Sequence, residues 1–193
     1  MAILYLDIET FSENYASERS FDLNKITKII SIQYKKENGE LVILKEWVSG
    51  EKEILKQFYD DIRKMQERDK GVTILGHNLL RFDIPVLIQR MAYHDIDSMG
   101  NLNNFFHNTF VIDSMQCLLP FNEFRFKGLG AEKLSGRLGI SQIVHDSKQM
   151  NEFYEKKQFH MIEEHVSSDI SFMEELWGKM QKDKDKLKLP PYG

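Results

Sequence analysis

Two acids separated by one residue, Asp7 and Glu9, follow a short apolar run near the start of the chain. The run, residues 3–6, is typical of a buried strand, and because side chains alternate along a strand, both acids share one face at its end. Adjacent carboxylates repel each other unless a cation lies between them, and carboxylate oxygens are ligands that Mg²⁺ prefers. The pair therefore indicates a hard-metal site, although a strand edge bearing two solvated acids fits this stretch equally well.

A further acid, Asp83, lies in the stretch GHNLLRFDIP, residues 76–85. A strand runs into Gly76, the chain turns through Asn78, and the acid comes just ahead of a helix with Pro85 in its first turn. The pattern predicts that Asp83 lies at or near a helix N-terminus, where it could be nothing more than an N-cap. On this stretch alone, the N-cap is the favoured interpretation.

The last long predicted helix carries His165 and Asp169. A spacing of four residues puts both side chains on one face of a helix, one turn apart. An acid and an imidazole at this spacing can work together in a site, but as an isolated observation a surface pair is the more common case.

The elements that position these residues are predicted from hydrophobic periodicity and turn signals, including the Asn-Gly turn at residues 38–39. The predicted strands are residues 3–6, 28–34, 41–48, 72–75 and 110–113. The predicted helices are residues 51–68, 84–92, 126–138 and 152–180, the last one broken near His160. Residues 101–108 are predicted to be a loop, and residues 11–24 a loop or a short helix.

This order of elements predicts the fold class. An antiparallel hairpin sheet that is followed by β-α-β crossovers gives an α/β domain, a mixed sheet flanked by helices. We expect one domain over residues 1–180, and a charged tail over residues 181–193 that could dock on a partner.

Taken together, the three acidic stretches resemble one family. The segment Asp7-Ile8-Glu9, the pattern N-x-x-x-F-D-x-P that ends at Pro85, and a proton acceptor four residues before Asp169 are similar to the motifs of the DEDD exonuclease superfamily. The likeness is greatest to the proofreading exonuclease domain of family-B DNA polymerases, and residues 128–131 (GLGA) and 138–139 (LG) are similar to the segment before its third motif. The resemblance covers roughly residues 2–177 and implies the ribonuclease-H-like fold. At 193 residues the chain leaves no room for a polymerase domain, so we expect a free-standing module.

The resemblance also implies an activity and its site. Asp7, Glu9, Asp83 and Asp169 would hold two Mg²⁺ or Mn²⁺ ions, with Asp7 contacting both, and the reaction would be 3′-to-5′ hydrolysis of terminal phosphodiesters. His165 would be the general base. Members with the four-residue spacing usually carry tyrosine at that position, so this chain departs from the family there.

Substrate contacts are implied for Thr10 and Phe11, just past the metal acids, and for Asn78 and Phe82. A turn-forming Asn and a core Phe explain the last two residues equally well. Four basic residues could follow the phosphates or could simply be solvated: Arg125, Lys127, Lys133 and Arg137. Asp113, which ends a predicted strand beside a serine, is interpreted as a structural cap.

Composition limits the class of protein. With 41% hydrophobic and 29% charged residues, the chain is typical of a soluble globular protein, and its apolar runs are too short to span a bilayer. One cysteine, Cys117, excludes an intramolecular disulfide and favours the cytoplasm. A net charge of −4 argues against a broad phosphate-binding surface but not against a metal-dependent nuclease.

The expected substrate is single-stranded DNA. Three matters stay open at this stage. An exoribonuclease would use the same metal ligands, a catalytically silent nucleic-acid-binding module could descend from such an enzyme, and a homo-oligomer or a replication or repair partner is possible.

Overall fold

The computed structural model describes residues 2–13, 27–142, 145, 147–182 and 189. The described residues form one five-stranded mixed sheet with the order β3-β2-β1-β4-β5. Its strands are β1 (Ala2–Phe11), β2 (Lys28–Lys36), β3 (Leu41–Lys45), β4 (Val72–Gly76) and β5 (Phe110–Asp113). The central strand β1 pairs antiparallel with β2 and parallel with β4. The predicted fold class, a mixed sheet of the ribonuclease-H-like kind, is confirmed.

Helices flank the sheet. They are α1 (Glu46–Ser49), α2 (Glu51–Arg68), α3 (Asp83–Tyr93), α4 (Met99–His107), α5 (Ser114–Leu118), α6 (Ala131–Leu138), α7 (Ser147–Glu155) and α8 (Phe159–Lys182), with a 3₁₀ turn at Leu119–Asn122. The break predicted near His160 is confirmed, because α7 ends at Glu155 and α8 starts at Phe159. Most of the predicted segment 11–24 and of the tail 181–193 lies outside the described residues.

The prediction of a loop at residues 101–108 is wrong, because this segment belongs to helix α4. Ser98 caps the helix, its hydroxyl accepting a hydrogen bond from the Asn101 N–H at 3.2 Å. Leu102 and Phe106, four residues apart, are buried on one face, and the asparagines lie on the exposed face. The asparagines indicated a loop by composition, but the apolar pair at helical spacing decides the structure.

Several predicted boundaries are also wrong. The strand predicted over residues 3–6 extends to Phe11, so that Asp7 and Glu9 lie within it, and the helical segment predicted from residue 152 already begins at Ser147. The strand predicted over residues 41–48 ends at Lys45, because the next four residues form α1, in which Trp47 stacks on Phe159 with ring centroids 4.6 Å apart. The helix predicted over residues 126–138 begins only at Ala131. Gly128, with a φ of 85°, keeps the preceding residues out of a right-handed helix.

Side chains alternate across β1 and so divide the core into two layers. Leu4, Leu6 and Ile8 pack on one face of the sheet, in a cluster with α2, α3 and α4. Tyr5 packs on the other face, in a cluster with α8. The alternation of a strand therefore turns Asp7 and Glu9 towards α8.

A buried ion cluster holds α2 and α3 against β2. Glu51, 8% exposed, accepts two hydrogen bonds from Arg90 at 2.7 and 2.6 Å, one from the Ile29 N–H at 2.8 Å, and contacts the His94 Nε2 at 2.8 Å. Burial acts to raise the pKa of Glu51, but these hydrogen bonds outweigh it and lower the pKa below its ordinary value. The cluster stabilises the layer that positions Asp83.

We expect Glu51→Gln to lower the free energy of unfolding by about 3 kcal/mol, because it leaves a buried guanidinium without its partner charge. Since the folded pKa is lowered, the stabilisation is present above the ordinary pKa of a glutamate and is lost as pH falls below it. Urea unfolding at neutral pH measures the effect. The exposed Glu53 of the same helical turn provides the matched control, and a loss as small as that of Glu53→Gln would contradict the expectation.

Candidate metal centre

The second half of β1 carries two of the acids. The register between β1 and β2 shifts between Glu9 and Thr10, just after the acid pair. Such irregularities often occur beside functional sites, where they redirect a side chain. Asp7 and Glu9 are both half-buried on the side of the sheet that faces α8.

Asp83 comes to the same place from the start of α3. The N-cap residue of this helix is Phe82, so Asp83 lies in the first turn, and its carboxylate does not cap the helix. Its Oδ1 instead accepts a hydrogen bond from the Ile8 N–H at 3.1 Å, between the two acids of β1. The carboxylate is almost fully buried.

The long helix α8 supplies the remaining residues. His165 Nε2 lies 3.1 Å from Asp169 Oδ2 and 3.5 Å from Glu9 Oε1. Potential ligand atoms of these three residues all lie within 4.8 Å of one another. The structure therefore groups His165 with two of the four predicted metal acids, Glu9 and Asp169. Asp7 and Asp83 lie close enough for the charges of these acids to act on them, but they do not belong to that group of ligand atoms.

The acids disturb one another's ionisation. Burial raises the pKa of Asp7 well above its usual range, and the charges of Asp83, Asp169 and Glu9 raise it further. Burial likewise raises the pKa of Asp83 to about 8, against the opposing effect of backbone hydrogen bonds. Burial raises the pKa of Asp169 to about 6, although the neighbouring His165 acts in the other direction. The cluster is therefore poorly suited to carrying four negative charges by itself.

The donor set fits a hard divalent cation. Four carboxylates and one imidazole converge there, and oxygen-rich sites of this kind suit Mg²⁺ or Mn²⁺. Among the residues that the structure describes, no Lys or Arg side chain forms an ion pair with these acids. The negative charge that accumulates when the acids ionise is therefore left for a bound cation to neutralise.

We expect the metal-free protein to lose stability as pH rises through the neutral range. In the folded state Asp169 and Asp83 keep their protons up to about pH 6 and about pH 8. In the unfolded chain the same two carboxyl groups lose their protons at lower pH. The stabilisation is complete below the unfolded pKa near about 4 and is lost as pH rises through the folded values. Thermal unfolding in EDTA and in Mn²⁺ at a series of pH values measures it. Mn²⁺ should stabilise more at higher pH, and a metal effect that did not vary with pH would contradict the expectation.

Two glutamines that sequence reasoning missed hold the acids in place. Gln33 Nε2 donates a hydrogen bond to Asp7 Oδ2, and Ser31 donates to Gln33 Oε1 at 3.1 Å. Gln142 Nε2 donates to Asp169 Oδ1 at 2.6 Å. The sequence signal for Gln33 was the pair of polar residues, Ser31 and Gln33, that alternate with apolar residues between 29 and 34. In the structure both side chains are fully buried.

The predicted substrate residues occupy different environments. Phe11 is buried, with its ring centroid 5.1 Å from that of Tyr154, while Phe82 packs against the core between the sheet and α3. Thr10 is half-buried beside the acid pair. Asn78 has a φ of 69°, and its buried Oδ1 finds no hydrogen-bond partner in the described part of the chain. Substrate contact stays a prediction for all four.

Asp113 has the structural role that was predicted. It is the N-cap of α5, where Oδ1 accepts a hydrogen bond from the Met115 N–H at 3.0 Å. It also accepts hydrogen bonds from the N–H groups of Asn78 and Leu80, at 2.9 and 3.0 Å. Asp113 therefore fixes the turn that leads to Asp83.

Comparison with known proteins gives a fold relationship. No family model matches the chain, and no curated protein does. Among solved structures, the family B DNA polymerase from the hyperthermophilic archaeon Pyrobaculum calidifontis is similar, with a TM-score of 0.66 and 15% sequence identity over 94% of this chain and 24% of that one. The chain thus spans about a quarter of that polymerase, and the likeness concerns the fold. Of the helices described here, none combines the length and the apolar character that crossing a membrane requires.

Proposed function

We propose that this protein is a 3′-to-5′ exonuclease that depends on two divalent metal ions and releases nucleoside 5′-monophosphates from single-stranded DNA. The observation that carries the proposal is the convergence of four carboxylates and one imidazole from β1, α3 and α8. The same residues have sequence spacings similar to those of the DEDD motifs. The fold relationship to a DNA polymerase supports action on nucleic acid.

Asp7 occupies the centre of the proposed site. All three other acids act on its ionisation, so its carboxylate is the one best situated to contact both ions. Asp169 and Glu9 would complete one ion's ligands, and Asp83 would hold the second. When bound, the ions supply positive charge to the reacting phosphodiester and make a water more acidic.

His165 is the proposed general base. The imidazole is buried, and its Nε2 is directed at the carboxylates of Asp169 and Glu9, so a water held by these acids would lie within its reach. A neutral imidazole can accept a proton near neutral pH, which a phenol, with a pKa of about 10, does less readily. His165 would thus replace the tyrosine that resembling proteins carry.

The proposal also covers the domain bounds and the cellular compartment. Residues 1–180 would form the catalytic domain, and residues 181–193 a tail. A reducing compartment such as the cytoplasm suits the single free cysteine, Cys117, which is exposed.

A time course on 5′-labelled strands tests the activity. Single-stranded DNA and RNA of one sequence are incubated with Mg²⁺, Mn²⁺ or EDTA, together with Asp7→Asn. We expect a metal-dependent ladder that shortens the DNA from its 3′ end and is absent for the variant. Faster shortening of the RNA would make the enzyme an exoribonuclease, and no shortening of either strand with any metal would exclude a nuclease.

A further inference from the structure

Three phenylalanines stand out on the segment between β5 and α6. Phe121, Phe124 and Phe126 are 44%, 74% and 40% exposed. In the described part of the chain they account for three of the eight large hydrophobic side chains that are exposed. Large exposed apolar surface often marks an interaction site, and these three rings lie within six residues of sequence.

The backbone that presents Phe124 is unusual. Glu123 and Phe124 are consecutive non-glycine residues with φ values of 53° and 56°. A left-handed conformation is a genuine outlier for a bulky residue, and strain of this kind is retained mainly where it serves a site. The strained turn directs the most exposed of the three rings outwards.

Two polar side chains form hydrogen bonds with the backbone of this segment. Asn122 Nδ2 donates hydrogen bonds to the carbonyls of Arg125 and Lys127, at 2.5 and 3.1 Å. Arg137 in turn donates to Asn122 Oδ1 at 3.1 Å and to the Gly128 carbonyl at 2.9 Å. These hydrogen bonds hold the backbone from residue 122 to residue 128 in one conformation, and so fix the positions of the residues that carry the rings.

The aromatic segment contacts the turn that leads to Asp83. The guanidinium carbon of Arg81 lies 4.2 Å from the centroid of the Phe126 ring. Arg81 stands two residues before Asp83, in the turn that Asp113 fixes. The contact between Arg81 and Phe126 therefore joins the aromatic segment to the turn that precedes Asp83.

We propose that Phe124 and Phe126, with Arg81, form a stacking platform for the unpaired bases that precede the 3′ end of a single strand. This inference rests on the proposed function. Aromatic faces stack on any base. Arg125 and Lys127, both exposed on the same segment, carry the charge opposite to that of the phosphates, and Glu123, 3.4 Å from Arg125, offsets part of it. Phe121, Arg125 and Lys127 also line a hollow of about 430 Å³ on the same segment, together with Glu123 and Leu189.

Binding measurements without metal test the platform independently of hydrolysis. Fluorescence anisotropy in EDTA compares labelled oligothymidylate with an abasic strand of equal length. We expect Phe124→Ala and Phe126→Ala each to weaken oligothymidylate binding about tenfold, the lower part of the range for one stacked base, and to leave abasic binding unchanged. Arg125→Gln should weaken binding of both strands.

Matched variants control for folding and for general loss of apolar surface. Phe124→Tyr keeps an aromatic face and should bind as the wild type does. Phe110, 59% exposed at the opposite end of β5 from Asp113, supplies a distant ring, and Phe110→Ala should also bind normally.

The outcomes separate the two proposals. Oligothymidylate binding that is unchanged in Phe124→Ala and Phe126→Ala, or that falls equally for the abasic strand, overturns the platform, even if the wild type hydrolyses DNA. Ring-dependent binding without hydrolysis supports the platform and refutes the proposed activity.

Discussion

Replacing Asp7 by asparagine should lower metal-dependent hydrolysis by at least about a thousandfold and, without metal, should make the protein more stable. The rate falls because charge stabilisation by the ions is worth several kcal/mol, and each 1.4 kcal/mol changes the rate about tenfold. The stability rises because burial and three neighbouring acids oppose ionisation of Asp7. A neutral amide of the same shape removes that opposition, and we expect a gain of about 1 kcal/mol.

Two measurements test the expectation together. Initial rates on single-stranded DNA measure the loss of activity. Urea unfolding in EDTA at about pH 8, a pH that favours ionisation of the carboxyl groups, measures the gain in stability. Asp95→Asn is the matched control, since Asp95 is exposed and its φ of 54° suits asparagine equally well. An Asp7→Asn variant that lost rate but was also destabilised in EDTA would mean that the Asp7 carboxylate stabilises the fold, contrary to our account of a strained metal site.

The sequence predicts those parts of the molecule that depend on local periodicity. Alternation along β1 correctly predicts that Asp7 and Glu9 share one face, and helical spacing does the same for His165 and Asp169 on α8. The sheet follows, because each strand has its own apolar run and turn signal. Where composition and periodicity disagree, as in α4 with Leu102 and Phe106, the buried apolar face decides.

Contacts between distant segments could not be predicted in the same way. Gln33 supports Asp7 only because β1 and β2 pair in a particular register, which places the two residues opposite each other. The contact of the Phe11 ring with Tyr154 of α7 likewise joins residues that are far apart in the sequence. Phe124 is presented by two left-handed residues with no glycine to indicate them. Each of these features arises from tertiary packing that no local pattern encodes.

His165→Gln should reduce the maximal rate by about a hundredfold or more, in the range that general-base catalysis supplies. In the wild type, the rate should fall on the acid side of its pH profile as the imidazole becomes protonated and can no longer accept a proton. Glutamine cannot ionise, so the variant should lose this acid limb. Because its amide can still donate a hydrogen bond to Asp169 or Glu9, the arrangement of the metal ligands is largely kept.

A pH profile at saturating Mg²⁺ separates His165 from the other group that titrates nearby. Burial raises the pKa of Asp169 to about 6 without metal, so protonation of Asp169 could also produce an acid limb. Bound metal opposes protonation of Asp169, so at saturating Mg²⁺ the contribution of Asp169 should lie at lower pH, and an acid limb that is present in the wild type but lost in His165→Gln is due to the imidazole. His160→Gln, an identical change at an exposed position on the same helix, should leave both rate and profile unchanged. If His165→Gln kept the acid limb of the wild type, the base would have to be another group, and His165 would serve only to hold Glu9 and Asp169 in place.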